Sequence, residues 1–501
     1  MFAKTLSFTL IGIEAEKVEV EVDIRSMGLP SFNLVGLPEA AVKESKERVK
    51  AAVKNLGFNI FDKPITVNLA PADLKKEGSH FDLPIALCLI KASGLLDANL
   101  ENFAIAGELS LDGQIRGVAG ILPFASALPV DSNIIISEDN QKEASVIESI
   151  NVYGFKSLGE VIAFLSGEDK KPFKYEFHFE SGKYDVDFSD VRGQFLVKRA
   201  SEIAAAGMHN IVMMGPPGSG KTMIAKRIPS IMPEMTIDEA IVTTKVHSVA
   251  GLLRDNRGLV VNRPFIVTHP TASDVAIVGG GKSAKPGLVS IATNGILFFD
   301  EFLEFKKNVL EVLRQPLEDR VVTVSRANRT VTYPADFMFV AACNPCPCGY
   351  HGTDKECICT LVQIQKYRSK LSGPIIDRID LQVNVEPVKI KDLKNLPVGE
   401  TSNAIRERVQ KARRIQKERF KSLKINYNTQ MSEKHIKKYA NVSEEAYDTI
   451  EKAHESMNLS ARSFMKILKV SRTIADLEES EQVLRKHVLE ACQYRFSSFN
   501  I

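Results

Sequence analysis

The stretch Ile211–Thr222, IVMMGPPGSGKT, limits what this chain can fold into more than any other. Ile211 to Met214 are apolar and predict a short buried strand. Gly215, Pro216, Pro217, Gly218, Ser219, Gly220, Lys221 and Thr222 then fit G-x-x-x-x-G-K-[ST] without a mismatch, in the strand–loop–helix context that the pattern needs. The physical basis is charge. Successive backbone N–H groups and a helix N-terminus make a nest for phosphate oxygens, and glycines let the backbone approach. Lys221 is placed to reach the β- and γ-phosphates and Thr222 to hold Mg²⁺. A Gly-rich turn before an ordinary helix is the plain alternative, but it requires neither the full spacing nor the correct flanks. The stretch predicts a nucleoside triphosphate site.

A second signal lies 75 residues beyond Lys221, in Ile296–Glu301, ILFFDE. Four apolar residues and then two carboxylates predict a buried strand with Asp300 holding Mg²⁺ through water and Glu301 polarising an attacking water. Between Arg314 and Asn344, Val321–Ser325 and Thr330–Tyr333 alternate about a turn at Ala327-Asn328-Arg329. This pattern predicts a β-hairpin with Arg326 and Arg329 at its tip, either solvated or reserved for an anionic partner, followed by an apolar strand ending at Asn344. In SGPIIDRID (Ser372–Asp380), Arg378 suits a γ-phosphate across a subunit boundary; a pair with Asp377 or Asp380 is the alternative.

Around this core, 501 residues allow two to four domains, and 44% hydrophobic with 25% charged residues is a globular balance. A net charge of +3 is too small to argue for nucleic acid, so any such partner must be met by local patches. No apolar run spans a bilayer and the N-terminus lacks a signal-peptide pattern, so no membrane association is expected and the cytoplasm is the expected location. Residues 1–165 predict a mixed α/β domain: a strand at 17–24 with charged and valine or isoleucine residues in strict alternation, a helix over 39–56, a strand at 65–70, an apolar helix after KKEGSHF, a hairpin at Asp112-Gly113 and a strand at 134–137. Residues 166–188 read as a polar linker, 189–395 as the phosphate-loop core and 396–501 as helical. Arg406–Lys424 holds nine basic residues, a solvated helix face or a phosphate contact. Ser460 can cap a helix with Phe464, Ile467 and Leu468 on its buried face and Arg462, Lys466 and Lys469 on another.

Five of the seven cysteines fall between Cys343 and Cys359. Cys346-x-Cys348 and Cys357-x-Cys359 are two close pairs whose four thiolates could bind structural Zn²⁺ tetrahedrally, with Cys343 spare; metal-free buried or redox-active thiols are the alternative.

GPPGSGKT, ILFFDE, HPTASDVAIVGGG (His269–Gly281), NPCPCGY (Asn344–Tyr350), SGPIIDRID and the front segment VDIRSMGLPSFNLVGLPEAAVKES together resemble the magnesium-chelatase-like AAA+ ATPases, most closely the YifB/ComM group. The resemblance implies an α/β fold: a Lon-protease-like domain, an AAA+ P-loop core and a C-terminal helical lid. It implies ATP and Mg²⁺, Walker A at Lys221 and Thr222, Walker B at Asp300 and Glu301, a sensor-1 role for Asn344 and an arginine finger at Arg378. For sensor 2 it points to Arg462, with Arg472 the weaker candidate. It implies a homo-hexameric ring whose pore is lined by the hairpin tips and by the GGGK segment ending at Lys282, so that Arg326, Arg329 and Lys282 meet single-stranded or branched DNA. The expected activity is that of an ATP-driven branch-migration helicase in recombination or natural transformation, and the competing one a chelatase-type subunit that remodels a protein. Aligned with the Lon family, His80 stands at the nucleophile position with Ser79 one residue early, and Leu122 stands where the dyad lysine belongs. The resemblance therefore implies a protease fold without protease chemistry.

Overall fold

A computed structural model of the chain describes residues 1–175, 184–253, 258–281, 284–326, 329–370, 373–387, 399–457 and 460–495. It divides into two compact units, Met1–Glu180 with Ile237–Val260, and Ser181–Thr236 with Val261–Ile501.

The first unit is built on a seven-stranded mixed sheet. The strands run in the order Ser31–Val35, Pro64–Ala70, Glu14–Ile24, Phe2–Ile11, Phe103–Ile105, Asn133–Ser137 and Asn151–Phe155. In Glu14–Ile24, the alternation seen in the sequence buries Val18, Val20, Val22 and Ile24 and leaves the intervening charged residues toward solvent. Helix Ala40–Asn55 adds Val42, Val49, Ala52 and Val53 to the same core, and helix Asp82–Ala92 is buried at every position but Lys91. Such a helix tolerates its one buried carboxylate because Arg48 pairs with Asp82 at 2.6 Å. The expected hairpin forms, Glu108–Leu109 against Ile115–Arg116, with the Asp112-Gly113 turn between them.

Helix Ile237–Val249 lies inside the stretch 189–395 in sequence but counts with the first unit. The Ser248 hydroxyl accepts the Gly120 N–H at 2.8 Å and donates to the Glu143 carboxylate, which burial pushes up in pKa. A helical period says which residues share a face, not which core that face will meet.

At the positions aligned with the protease dyad, His80 is buried, stacked on Phe8 at 4.4 Å between ring centroids, with Nε2 2.7 Å from the Phe8 carbonyl. Ser79 donates its hydroxyl to Glu108, and Leu122 is fully buried.

The second unit holds a five-stranded, wholly parallel sheet in the order Phe265–Thr268, Ile296–Phe299, Met338–Cys343, Ile211–Met214, Leu381–Asn384. Its three central strands, Ile296–Phe299, Met338–Cys343 and Ile211–Met214, are continuous apolar runs, buried at every position because the sheet is covered on both faces there. Helices Phe195–Gly207 and Lys221–Ile231 pack on it, and one core runs on into the C-terminal helices Ser402–Arg419, Glu433–Tyr439, Glu444–Met457, Ala461–Leu477 and Arg485–Gln493. Among the described residues no helix is long and apolar enough to cross a membrane.

Burial holds the His80 ring at a pKa of about 4, against an ordinary value of about 6.5. The unfolded chain therefore takes up a proton in the window between these values that the folded chain refuses, and stability falls as pH drops through it. The variant His80→Phe keeps the stack on Phe8 and removes the titration. Denaturation midpoints of the first unit at pH 7 and pH 5 are expected to lie closer together in the variant than in the parent; equal separations would contradict this.

Candidate functional site

Three neighbouring strands end on one edge of the parallel sheet, where ligands of such sheets bind. The phosphate loop leaves Ile211–Met214, Asp300 follows Ile296–Phe299, and Asn344 follows Met338–Cys343. The loop is locked to the sheet by its first residue: the Gly215 N–H donates to the Cys343 carbonyl at 3.1 Å. A Cβ on Gly215 would stand 2.2 Å from the Val385 carbonyl oxygen, so only glycine fits there. Gly220 then caps helix Lys221–Ile231, whose free N–H groups face the loop.

The functional side chains converge. The Thr222 hydroxyl donates to Asp300 Oδ2 at 2.9 Å, joining Walker A to Walker B. The Lys221 ammonium donates to the carbonyls of Gly215 and Pro216 at 2.7 and 2.9 Å, and lies 3.4 Å from Asn344 Oδ1. Burial lowers its pKa, opposed by the nearby acidic groups Cys343 and Asp300. Glu301 sits in the left-handed region at φ 49° and ψ 45°, a costly conformation for a non-glycine residue. Its own N–H donates to Asp300 Oδ1 at 3.0 Å.

This donor set fits a magnesium nucleotide: a helix N-terminus and an ammonium for the phosphates, and a hydroxyl beside a carboxylate for the ion. Mg²⁺ and triphosphate together supply an electrophilic γ-phosphorus. Thr222 and Asp300 would hold the ion, Lys221 would neutralise phosphate charge, and Glu301 and Asn344 would orient water.

Arg378 and Arg462 do not join this group. Both turn to one carboxylate, Glu318: Arg378 donates to Oε2, and Arg462 lies 3.6 Å from Oε1. Among the described residues, the buried Arg378 Nε has no hydrogen-bond partner. Among the described residues, neither Asp377 nor Asp380 pairs with Arg378; Asp380 is taken by Lys466 at 2.8 Å and by the Asn210 N–H at 3.0 Å. Lys466 and Lys469, expected on a face other than that of Phe464, Ile467 and Leu468, are held inside as well: Lys469 donates to the Thr429 carbonyl at 2.9 Å and burial pushes it down to about 8. Arg472, the weaker sensor-2 candidate, is a structural residue, 1% exposed and bound to Asp476 and to the carbonyls of Ala440, Ser480 and Glu481. Much of the basic run 406–424 is likewise paired internally, Arg408 with Glu202 and Glu400, Arg419 with Asp476.

The hairpin forms as Val321–Arg326 against Arg329–Pro334, and Arg326 pairs directly with Arg329 as the last rung. Lys282 lies outside the described residues, but the glycines before it do not: Gly279–Gly280 pairs with Lys285–Pro286. The buried Tyr333 hydroxyl of the hairpin donates to the Ala284 carbonyl at 2.8 Å, tying the two segments together.

Cys346, Cys348, Cys357 and Cys359 bring their sulfurs within 4.8 Å of one another. Cys343 stays apart, in the sheet, its thiol pushed up to about 12 by burial.

A parallel sheet with a phosphate loop, an acidic strand end and a polar strand end on adjacent strands defines a P-loop ATPase core. The family described as magnesium chelatase, subunit ChlI, matches residues 187–393; its companion models, subunit ChlI of Mg-chelatase and the subunit ChlI C-terminal region, match 20–140 and 399–495. The competence protein ComM of Haemophilus influenzae is 44% identical over 495 residues, covering 97% of this chain and 96% of that one. YifB of Escherichia coli is 39% identical over 490 residues, covering 97% and 95%. The magnesium-chelatase 38 kDa subunit of Cereibacter sphaeroides is 24% identical over 179 residues, 32% of this chain and 54% of that one. The chain belongs to the ComM/YifB group of the magnesium-chelatase-like AAA+ ATPase family.

Glu318 carries no sequence signal. Its one cue is that two arginines suited to phosphate must rest on some anion, and the sequence does not say which. For the pocket itself, Glu301→Gln is expected to bind ATP with parental affinity and to lower kcat about 10²–10⁴-fold. Turnover within tenfold of the parent would remove Glu301 from the chemistry.

Proposed function

We propose that the chain is an ATP-driven DNA motor that works as a closed ring of six copies, migrating branched DNA in recombination or natural transformation. The observation that carries this reading is the separation of Arg378 and Arg462 from the pocket formed by Lys221, Thr222, Asp300 and Asn344. Guanidinium groups cannot shed their charge, so they need an anion. In a ring, the γ-phosphate bound by the neighbouring copy takes the place of Glu318, and the pocket is complete only at a subunit boundary. ATP binding draws the arginines off Glu318, and hydrolysis returns them, which is the two-state element a motor requires.

The DNA part of the reading is supported by the Arg326–Arg329 rung and by the tie from Tyr333 to the segment carrying Lys282. Two cationic loops that move together suit the tracking of a phosphate backbone. The name of the Haemophilus relative supports a role in competence, and such DNA is handled in the cytoplasm. The first unit, with Ser79 on Glu108 and no lysine at position 122, serves as an assembly or DNA-facing module rather than a protease.

Purified protein with ATP is expected to unwind a four-way or forked junction, and Glu301→Gln to abolish it. A hydrolysis rate indifferent to forked or single-stranded DNA but raised by a protein partner would favour the chelatase-type reading and sink this one. Arg378→Ala is expected to slow DNA-stimulated hydrolysis about 10³-fold or more. Arg329→Ala is expected to weaken DNA binding and to reduce the log–log salt slope by about one for each arginine engaged. An unchanged slope would remove the hairpin from the DNA path.

A further inference from the structure

The cysteine cluster is built against the nucleotide pocket, not beside it by chance of sequence. Cys346 follows Asn344 by two residues, and the chain then turns through Cys348, Gly349 and Tyr350. Gly349 adopts φ +86°, and a Cβ there would stand 2.6 and 2.7 Å from the ring carbons of Pro217 and 3.8 Å from the Asn344 side chain. The turn that carries two of the four sulfurs therefore rests directly on the phosphate loop. Its other end is fixed as well: Thr360, next to Cys359, caps helix Leu361–Arg368, and the Arg368 Nε donates to the Pro345 carbonyl at 3.1 Å.

Three of the sulfurs are spaced as at a tetrahedral metal, and the fourth, on Cys359, lies within 4.8 Å of them. Zn–S bonds of about 2.3 Å give S–S edges near 3.8 Å; the edges Cys346–Cys348, Cys346–Cys357 and Cys348–Cys357 are 3.4, 3.7 and 3.5 Å. None of the four is in a disulfide. Backbone N–H groups already serve the sulfurs, His351 to Cys346 at 3.3 Å and Cys348 to Cys359 at 3.4 Å, as the outer shell of a thiolate site requires.

We propose that Cys346, Cys348, Cys357 and Cys359 bind one Zn²⁺ and that the metal, through Gly349 on Pro217, holds the phosphate loop in its nucleotide-binding shape. This rests on the reading of Gly215–Thr222 as the nucleotide site. Binding of zinc and of nucleotide are then linked, and linkage is reciprocal: the factor by which zinc tightens nucleotide is the factor by which nucleotide tightens zinc. Zinc binding requires loss of the thiol protons, released to solvent, and no electron transfer.

The test uses the full chain. Protein purified without added metal is expected to carry one zinc per chain by mass spectrometry, and Co²⁺ exchanged into it to give the absorption of a tetrahedral four-thiolate site. Removal of zinc with a chelator is expected to weaken binding of a fluorescent ATP analogue at least about fivefold, a typical coupling factor, with recovery on adding Zn²⁺. Gly349→Ala, which pushes a methyl group into Pro217 and leaves all four ligands, is expected to retain zinc and still lose nucleotide affinity, which separates coupling from unfolding. Absence of zinc and of the cobalt spectrum, or a disulfide among the four cysteines, overturns the metal site. Full zinc with equal nucleotide affinity in loaded, stripped and Gly349→Ala protein overturns the coupling. Full zinc with no nucleotide binding in any form would instead overturn the reading of the phosphate loop.

Discussion

The bond from Thr222 to Asp300 is the contact on which the rest of the structure depends. It joins the second residue of helix Lys221–Ile231 to the residue that follows strand Ile296–Phe299, two places away in the sheet, and it requires those two ends to stand within hydrogen-bond reach. That demand explains the architecture around it. The three strands that carry the site are apolar because both faces are covered, the loop's Gly215 is pinned between Cys343 and Val385, and a single core extends from the sheet into the C-terminal helices. The pocket is a property of the sheet's edge, and the helices keep that edge in register.

Beside this edge stands an electrostatic arrangement centred on Glu318. Glu318 gathers Arg378 and Arg462, while Asp380, Lys466, His209 and Asn210 form a separate buried network that fixes the turn from which Arg378 projects. The lysines are paired in the interior, whereas the arginines rest on a half-exposed carboxylate. Arg419, Arg472 and Asp476 show the contrasting case, a closed buried cluster with no partner left to seek. Chemistry that needs an arginine from elsewhere favours the first arrangement, and stability favours the second.

What was legible in the sequence is what depends on neighbours along the chain. The phosphate loop, the Asp300-Glu301 pair, the alternating strand read at 17–24 and the hairpin read from Val321–Ser325 and Thr330–Tyr333 are local patterns; the strand extends back to Glu14 and the hairpin strands run to Arg326 and from Arg329 to Pro334. The Glu318 clamp reaches 60 residues to Arg378 in sequence, and no period links them. The buried fate of Lys466 was hidden for the same reason: its helical spacing with Arg462 and Lys469 describes a face, and only the fold decides that Asp380 lies opposite part of that face. Helix Ile237–Val249 has an ordinary helical sequence, yet one buried hydroxyl, Ser248 on Glu143, ties it to the first unit. The contact of Gly349 with Pro217 spans 132 residues, and a lone glycine among cysteines reads from sequence as a turn and nothing more.

The central claim is that one copy's arginines complete the pocket of the next, and mixing two inactive variants tests it most directly. Arg378→Ala keeps an intact pocket and lacks the arginine; Lys221→Ala keeps the arginine and lacks the pocket. Each alone should be nearly silent in DNA-stimulated ATP hydrolysis, and mixing them should restore turnover, greatest at equal proportions, because some boundaries then join an intact pocket to an intact arginine. Silence at every ratio, or full activity of Arg378→Ala by itself, would contradict a pocket shared between copies.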